Sequence, residues 1–301
     1  MSKRDLGASV RQRLLNQARS QGQPFQEVLQ YFAMERFLYR LANSPFADRF
    51  ILKGALLLTA WRAPLSRPTM DIDLAGRTDN ALDHIAKLVG EVCAISVEAD
   101  GIEFNGASIE VSRIKEDADY EGVRVQFHAT LARARIPMQL DIGFGDIITP
   151  GPTEVEYPTI LDFPAPVLRA YPKETVVAEK LEALTALGLL NSRMKDYYDL
   201  ALLSRMYPFE GERLADAIVA TFRHRGTTIE AEPIGLTEAY YNDPARAVQW
   251  RAFVRRSRFD EEASDLARFV AEIRPFALPV LSTLAVESLF KGSWKAGGPW
   301  E

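Results

Sequence analysis

Six of the 17 prolines in this 301-residue chain lie between residues 150 and 172: Pro150, Pro152, Pro158, Pro164, Pro166 and Pro172. Proline fixes φ and has no N–H to donate, so such a stretch can be neither helix interior nor central strand. It reads as an extended connection, residues 151–172, that divides the chain into two parts of different character. Before it, alternating apolar runs are mixed with helical periodicities; after it, nearly everything has helical spacing. With 47% hydrophobic residues, the chain can bury a sizeable core. The expected class is α+β. It comprises an N-terminal helical cap (1–49), a strand-containing core (50–150), a C-terminal helical domain (173–290) and a glycine-bearing tail (291–301) expected to be mobile.

Within the cap, residues 8–21 and 24–42 read as helices, the second carrying Phe25, Val28, Leu29, Phe32, Phe37 and Leu38 at helical spacing. The core opens on the apolar run Phe50-Ile51-Leu52, ended by Lys53-Gly54 and followed by a short helix over 55–61. Strands are expected at 69–74, 102–115 and 122–146, with a helix at 79–96. The later helices are expected at 173–188, 192–206, 211–224, 244–257 and 260–290. No N-terminal apolar segment resembles a secretory signal, and no run approaches the roughly 18 apolar residues of a membrane span. A cytoplasmic location with no membrane partner is expected.

Composition narrows the chemistry. The single cysteine, Cys93, excludes an internal disulfide and a multi-cysteine zinc site. The three histidines, His84, His128 and His224, are too scattered for a histidine metal site or triad. Net charge is 36 − 41 = −5, which excludes a globally basic nucleic-acid coat but not a local patch. Catalysis would therefore fall to carboxylates, lysines and arginines.

The best local signal is Thr69-Met70-Asp71-Ile72-Asp73-Leu74. In a strand, residues i and i+2 share a face, so Asp71 and Asp73 project together while Ile72 and Leu74 face the core. Two carboxylates so placed repel unless a cation lies between them, and hard Mg²⁺ prefers their oxygens. The plain alternative is a strand edge with two solvated aspartates. A second alternating run, Met138 to Gly143, carries Asp141 on the face opposite Leu140 and Ile142. If the two strands are neighbours, three aspartates converge into a ligand set for two Mg²⁺ ions. Asp146 reads as a turn residue. Lys53 and Gly54 form a strand-to-helix turn where glycine permits close backbone approach, and the following helix N-terminus offers N–H groups to a phosphate.

Beyond the prolines, Lys180 borders the apolar helix face of Val176, Val177, Leu181 and Leu184, where it either snorkels to water or holds a phosphate. Asp196 and Asp199 share a helix face, open to a salt bridge with Arg193 or Lys195. Arg246 to Arg258 contains five arginines and no acid, with Arg251, Arg255 and Arg258 at i, i+4 and i+7. That face could grip an RNA backbone or pair with the acidic run Asp260, Glu261, Glu262.

Together, Phe50-Ile-Leu-Lys-Gly54, Arg67-Pro-Thr-Met-Asp-Ile-Asp-Leu74, Leu140-Asp-Ile-Gly-Phe-Gly-Asp146, Tyr171 to Lys180 and Asn191 to Leu200 resemble the AbiEii/AbiGii family of nucleotidyltransferase toxins. The resemblance implies a DNA-polymerase-β-like nucleotidyltransferase core followed by a helical domain. It implies the toxin of a bacterial toxin–antitoxin pair, with a cognate antitoxin as partner. It also implies transfer of a nucleotide from an NTP to RNA, for some relatives the 3′ acceptor end of tRNA. Carried over, Asp71 and Asp73 become metal ligands with Asp141 as the third carboxylate. Lys53 and Gly54 become the phosphate-binding turn. Lys180 and Asp196 become residues needed for activity, the lysine on the triphosphate. One position departs from the pattern: the turn is usually Gly-Ser or Gly-Gly, and here it is Gly54-Ala55, leaving backbone N–H groups but no hydroxyl. The same carboxylates would equally serve transfer to a protein or small molecule, and a non-catalytic nucleotide-binding module is the third reading.

Overall fold

Residues 3–63, 68–117, 120–259 and 265–301 are described by a computed structural model of the chain. Two units divide them, one formed by Met1–Asp146 with Thr153–Tyr171 and the other by Ile147–Pro152 with Pro172–Glu301. The acidic run Asp260 to Glu262 lies outside the described residues. Among those residues no helix is long and apolar enough to cross a membrane.

The first unit is a mixed sheet covered by helices. Its elements are α1 (Lys3–Gln21), α2 (Phe25–Ala42), β1 (Phe50–Lys53), α3 (Leu56–Ala60), β2 (Ile72–Gly76), α4 (Leu82–Cys93), β3 (Ile102–Asp117), β4 (Tyr120–Leu131), β5 (Ala134–Phe144), β6 (Thr153–Glu156) and β7 (Val167–Ala170). The strand order is β3-β4-β5-β2-β1-β7-β6, with β2–β5 and β1–β7 parallel and the other pairs antiparallel. The helices α2 and α4 pack on the face where Val123, Val125, Phe127, Leu140 and Ile142 are buried. Phe37 of α2 meets Phe104 and Phe127 there at ring-centroid distances of 5.7 and 5.4 Å.

Two expectations for this unit change. The single strand read over 122–146 is a hairpin, β4 and β5, turning at Ala132-Arg133 with Ala132 at φ 53°. No glycine, proline or asparagine punctuates that turn, so the pattern gave no break. The proline stretch, read as a connection only, carries β6 and β7, and β7 lies inside the sheet between β1 and β6. Both strands are four residues long and fit between prolines, which flank them and never occupy the ladder.

A buried ion network ties α2 down. Arg40 Nη1 and Nη2 donate to Asp100 at 2.7 and 3.1 Å, and Arg36 Nε donates to the same carboxylate at 3.2 Å. Arg36 also reaches Glu35 at 3.1 Å and the Pro164 carbonyl at 3.0 Å, while Glu35 accepts from the Ile160 N–H at 2.7 Å. These four charged side chains are almost wholly inaccessible, so each depends on its partners.

The second unit holds α5 (Lys173–Leu187), α6 (Met194–Met206), β8 (Phe209–Glu210), α7 (Gly211–Arg225), α8 (Glu238–Tyr241), α9 (Pro244–Ser257), α10 (Leu266–Ala285) and β9 (Ser293–Trp294). The tail expected to be mobile is packed. Trp294 is buried with its indole N–H on the Ser204 carbonyl at 2.6 Å, and β9 pairs with β8. Trp300 stacks on Phe276 at 5.8 Å and 6°. Tryptophan burial anchors a segment whose glycines alone suggested freedom.

Burial pushes the Glu35 carboxyl up from its ordinary 4.5 to about 7, against the lowering influence of the Ile160 N–H and Arg36. The folded state therefore holds this proton more tightly than the unfolded chain. The contribution is fully present below about pH 4.5 and is lost as pH rises through about 7. Glu35→Gln removes this slope. Urea unfolding at intervals from pH 4.5 to 7.5 should give a flatter stability profile than wild type, by on the order of 3 kcal/mol across the window.

Candidate active site

The sheet register aligns one charged residue from each of four adjacent strands. Lys53 of β1 lies opposite Asp73 of β2, Asp73 opposite Asp141 of β5, and Asp141 opposite Arg124 of β4. Directly opposed side chains sit about 4.5–5.5 Å apart at Cβ, so the row reads cation, carboxylate, carboxylate, cation. Asp71, two residues before Asp73, joins the same face. Oxygens of Asp71, Asp73 and Asp141 all lie within 4.8 Å of one another. Asp71 precedes β2, so the strand expected over 69–74 starts at Ile72 and runs to Gly76. Ile72 and Leu74 point to the core as expected, at 0% and 2% exposure.

Each carboxylate is oriented by a different neighbour. Arg124 grips Asp141 through both oxygens, Nε to Oδ1 at 2.8 Å and Nη2 to Oδ2 at 2.7 Å, and Gln139 adds a contact at 3.3 Å. The Asp141 hydrogen bond, followed by the charges of Asp141, Asp71 and Asp73, holds the Arg124 guanidinium above its already high range, so it is a permanent cation here. Asp71 accepts from the Thr69 hydroxyl, and Thr69 N–H donates to the Tyr31 hydroxyl at 3.0 Å. Asp73 is approached by backbone instead. Gly54 has φ +73°, and a Cβ built on it would collide with the Asp73 carboxylate, with Cγ at 2.5 Å. Glycine is required twice there, for the left-handed conformation and for the close approach. Three hard-oxygen donors at this spacing suit Mg²⁺ or Mn²⁺.

Lys53 does not stand free for phosphate. Its Nζ pairs with Asp146 Oδ2 at 3.0 Å, and the same oxygen accepts from the Tyr171 hydroxyl at 2.7 Å. Asp146, expected to be only a turn residue, is thus the anchor of the turn cation. The helix after Gly54, α3, is five residues long, so its dipole adds little for an anion. Ala55 is 4% exposed, its methyl turned inward.

In the second unit, Lys180 donates to Asp196 Oδ1 at 2.7 Å and to Asp199 Oδ2 at 2.8 Å. The aspartates share a face as expected, and they share the Lys180 ammonium of α5 as well. The arginine cluster divides. Arg246 is committed to structure, bonding the carbonyls of Asn191 and Leu189 at 2.9 Å each and Gln249 at 2.6 Å. Arg251, Arg255 and Arg256 are exposed on α9. Arg258 is also exposed but caps the helix at φ 55°, so it leaves the i, i+4, i+7 face on which spacing placed it.

Arg124, Asp146 and Tyr171 were not singled out from the sequence. For Arg124 a signal existed: a two-residue turn at 132–133 puts residue 124 opposite 141. Seeing it required the hairpin that the alternation concealed. Tyr171 and Asp146 meet through a strand inside the proline stretch, and nothing local reports that pairing.

A family described as nucleotidyl transferase AbiEii toxin, type IV TA system, matches residues 36–272. No curated protein matches the chain. Two solved structures from Helicobacter pylori are similar in fold. One, described as a candidate nucleotidyltransferase, is 16% identical with a TM-score of 0.49 and covers 87% of this chain and 97% of that one. The other, JHP933, is 15% identical with a TM-score of 0.45 and covers 84% of this chain and 90% of that one.

The glycine requirement is testable against a neutral control. Gly226 also has positive φ, +66°, but a Cβ there meets nothing within 4 Å. Gly226→Ala should cost about 1 kcal/mol, the left-handed penalty alone. Gly54→Ala should cost about 1–3 kcal/mol more, because the carboxylate must also move. Urea unfolding of the two variants gives the difference.

Proposed function

The chain belongs to the AbiEii nucleotidyl transferase toxin family of type IV toxin–antitoxin systems, and from that premise we propose that it moves a nucleoside monophosphate from an NTP to an RNA hydroxyl, at the tRNA 3′ acceptor end, with Mg²⁺ as cofactor. The family makes it a nucleotidyltransferase with an NTP substrate and an antitoxin partner. The observation that carries the finer reading is the convergence of Asp71, Asp73 and Asp141 on one sheet face, within 4.8 Å. We read the sheet unit around them as a DNA-polymerase-β-like core and residues 173–290 as the helical domain that follows it in the chain.

In this reading the three aspartates hold the metal, which when bound activates the attacking hydroxyl and offsets charge on the leaving group. The RNA hydroxyl oxygen bonds to the α-phosphorus as the α–β bridging P–O bond breaks. Pyrophosphate leaves with the bonding electrons, and the hydroxyl proton passes to solvent. Thr69 fixes Asp71, Gly54 lets backbone approach Asp73, and Asp146 with Tyr171 sets the direction of Lys53. Lys180 is assigned to the triphosphate, positioned by Asp196 and Asp199. Arg251 and Arg255, exposed on α9, are assigned to the RNA backbone, with Arg258 at the helix end beside them.

Incubation of the full chain with each labelled NTP, total tRNA and Mg²⁺ tests the reaction. RNA should be labelled in a Mg²⁺-dependent manner, and Asp71→Asn, Asp73→Asn or Asp141→Asn should each cut labelling by at least about 10²-fold. Label on protein rather than RNA would move the acceptor to a protein hydroxyl. No label from any NTP, with toxicity in cells unchanged by Asp71→Asn, would leave the non-catalytic reading.

A further inference from the structure

The Asp141 carboxylate is claimed on both oxygens by Arg124, at 2.8 and 2.7 Å, with Gln139 on Oδ2 as well. A carboxylate offers about four lone-pair sites, and three are engaged. The guanidinium sits two strands from Asp73 along the row, with Asp141 between them, and sets one positive charge against the three converging carboxylates. A divalent ion using Asp141 must therefore take a lone pair from Arg124 or lie beside a positive charge.

The structure lets Arg124 yield. Its side chain is 37% exposed whereas Asp141 is 10% exposed, so the cation has solvent to move into and the carboxylate does not. Arg124 lies on the polar face of β4, between the buried Val123 and Val125, so its movement disturbs no core packing. The buried arginines of α2 are different in kind: Arg36 and Arg40, at 1% and 8% side-chain exposure, have no such exit.

We propose that Arg124 is an exchangeable counter-cation of the aspartate triad, holding Asp141 until a divalent metal displaces it. It is a positioning residue, acting through Asp141. The inference rests on the metal reading above and adds to it an opposing charge built into the sheet, which sets how much divalent ion the site needs before it fills. A merely structural arginine would, when removed, misplace Asp141 and weaken metal binding; an exchangeable one, when removed, strengthens it.

Mn²⁺ serves as the probe, titrated calorimetrically into the full-length wild type, Arg124→Ala and Arg124→Lys, with Asp73→Asn as the control for the site. Arg124→Ala should bind Mn²⁺ about fivefold more tightly, the scale of a partly exposed ion pair. It should also melt lower than wild type in chelator and gain more on adding Mn²⁺. Arg124→Lys, with the charge but not the fork, should fall between. Equal or weaker Mn²⁺ binding by Arg124→Ala overturns the proposal while leaving the metal site intact. Absence of Mn²⁺ binding in wild type and variants alike removes the metal reading itself, and the proposal with it. If Arg124→Ala does not fold, as judged by circular dichroism, Arg124→Gln decides by the same comparison.

Discussion

Asp73 and Asp141 are forced side by side by strand register, and much of the first unit depends on that pairing of like charges. The register is not free to relax. Asp73 lies between Ile72 and Leu74, Asp141 between Leu140 and Ile142, and Arg124 between Val123 and Val125, all six apolar neighbours being at most 2% exposed. Because the side-chain period of a strand is two, a one-residue slip would send every one of these charges into the core. The hydrophobic pattern that folds the sheet is thus the same pattern that assembles the carboxylates. The repulsion is answered locally, by Arg124 at one end of the row and Lys53 at the other.

That answer is incomplete by design of the charges. The row with Asp71 sums to −1, and Lys53 is itself shared with Asp146. A sheet face carrying such an excess is a poor source of stability, so the fold must be held elsewhere in the unit. Phe37, Phe104 and Phe127 on the opposite face, and the Arg36–Arg40–Asp100–Glu35 network beneath α2, are placed to do this. A buried network of that kind is weak evidence of net stabilisation but strong evidence of a fixed geometry, because losing one partner strands the others.

The legible parts of the site were those governed by period two. Asp71, Asp73 and Asp141 could be found from alternation alone, since each stands between apolar residues or beside one. Their neighbours could not. Arg124 meets Asp141 through a turn at Ala132-Arg133 that has no turn residue to announce it, and Ala132 adopts φ 53° without glycine's ease. Asp146 and Tyr171 are joined through β7, a strand hidden among prolines. Proline correctly forbade itself from the ladder; it did not forbid four-residue strands between prolines. In the second unit the pairing of Lys180 with Asp196 and Asp199 was hidden for a related reason. Helical spacing reports neighbours on one helix, whereas Lys180 reaches Asp196 and Asp199 from another.

The two lysines illustrate how context decides what a cation near a carboxylate site can do. Lys53 and Lys180, which the resemblance assigns to phosphate, are each held by carboxylates, Lys53 by Asp146 and Lys180 by Asp196 with Asp199. An ammonium so held is fixed in direction, and it meets a phosphate by sharing or exchanging a partner rather than by filling an empty place. Arg124 on Asp141 follows the same rule with a firmer, two-pronged grip. On the sheet face of the first unit, then, the positive charges of Lys53 and Arg124 are held on acids. On the proposed reading, a triphosphate at the sheet face would draw on Lys53 and a divalent cation would draw on the aspartates, each by exchange of partners. Such an exchange would lower the net cost of bringing both charged species to one sheet face, because each releases a group that the other can use.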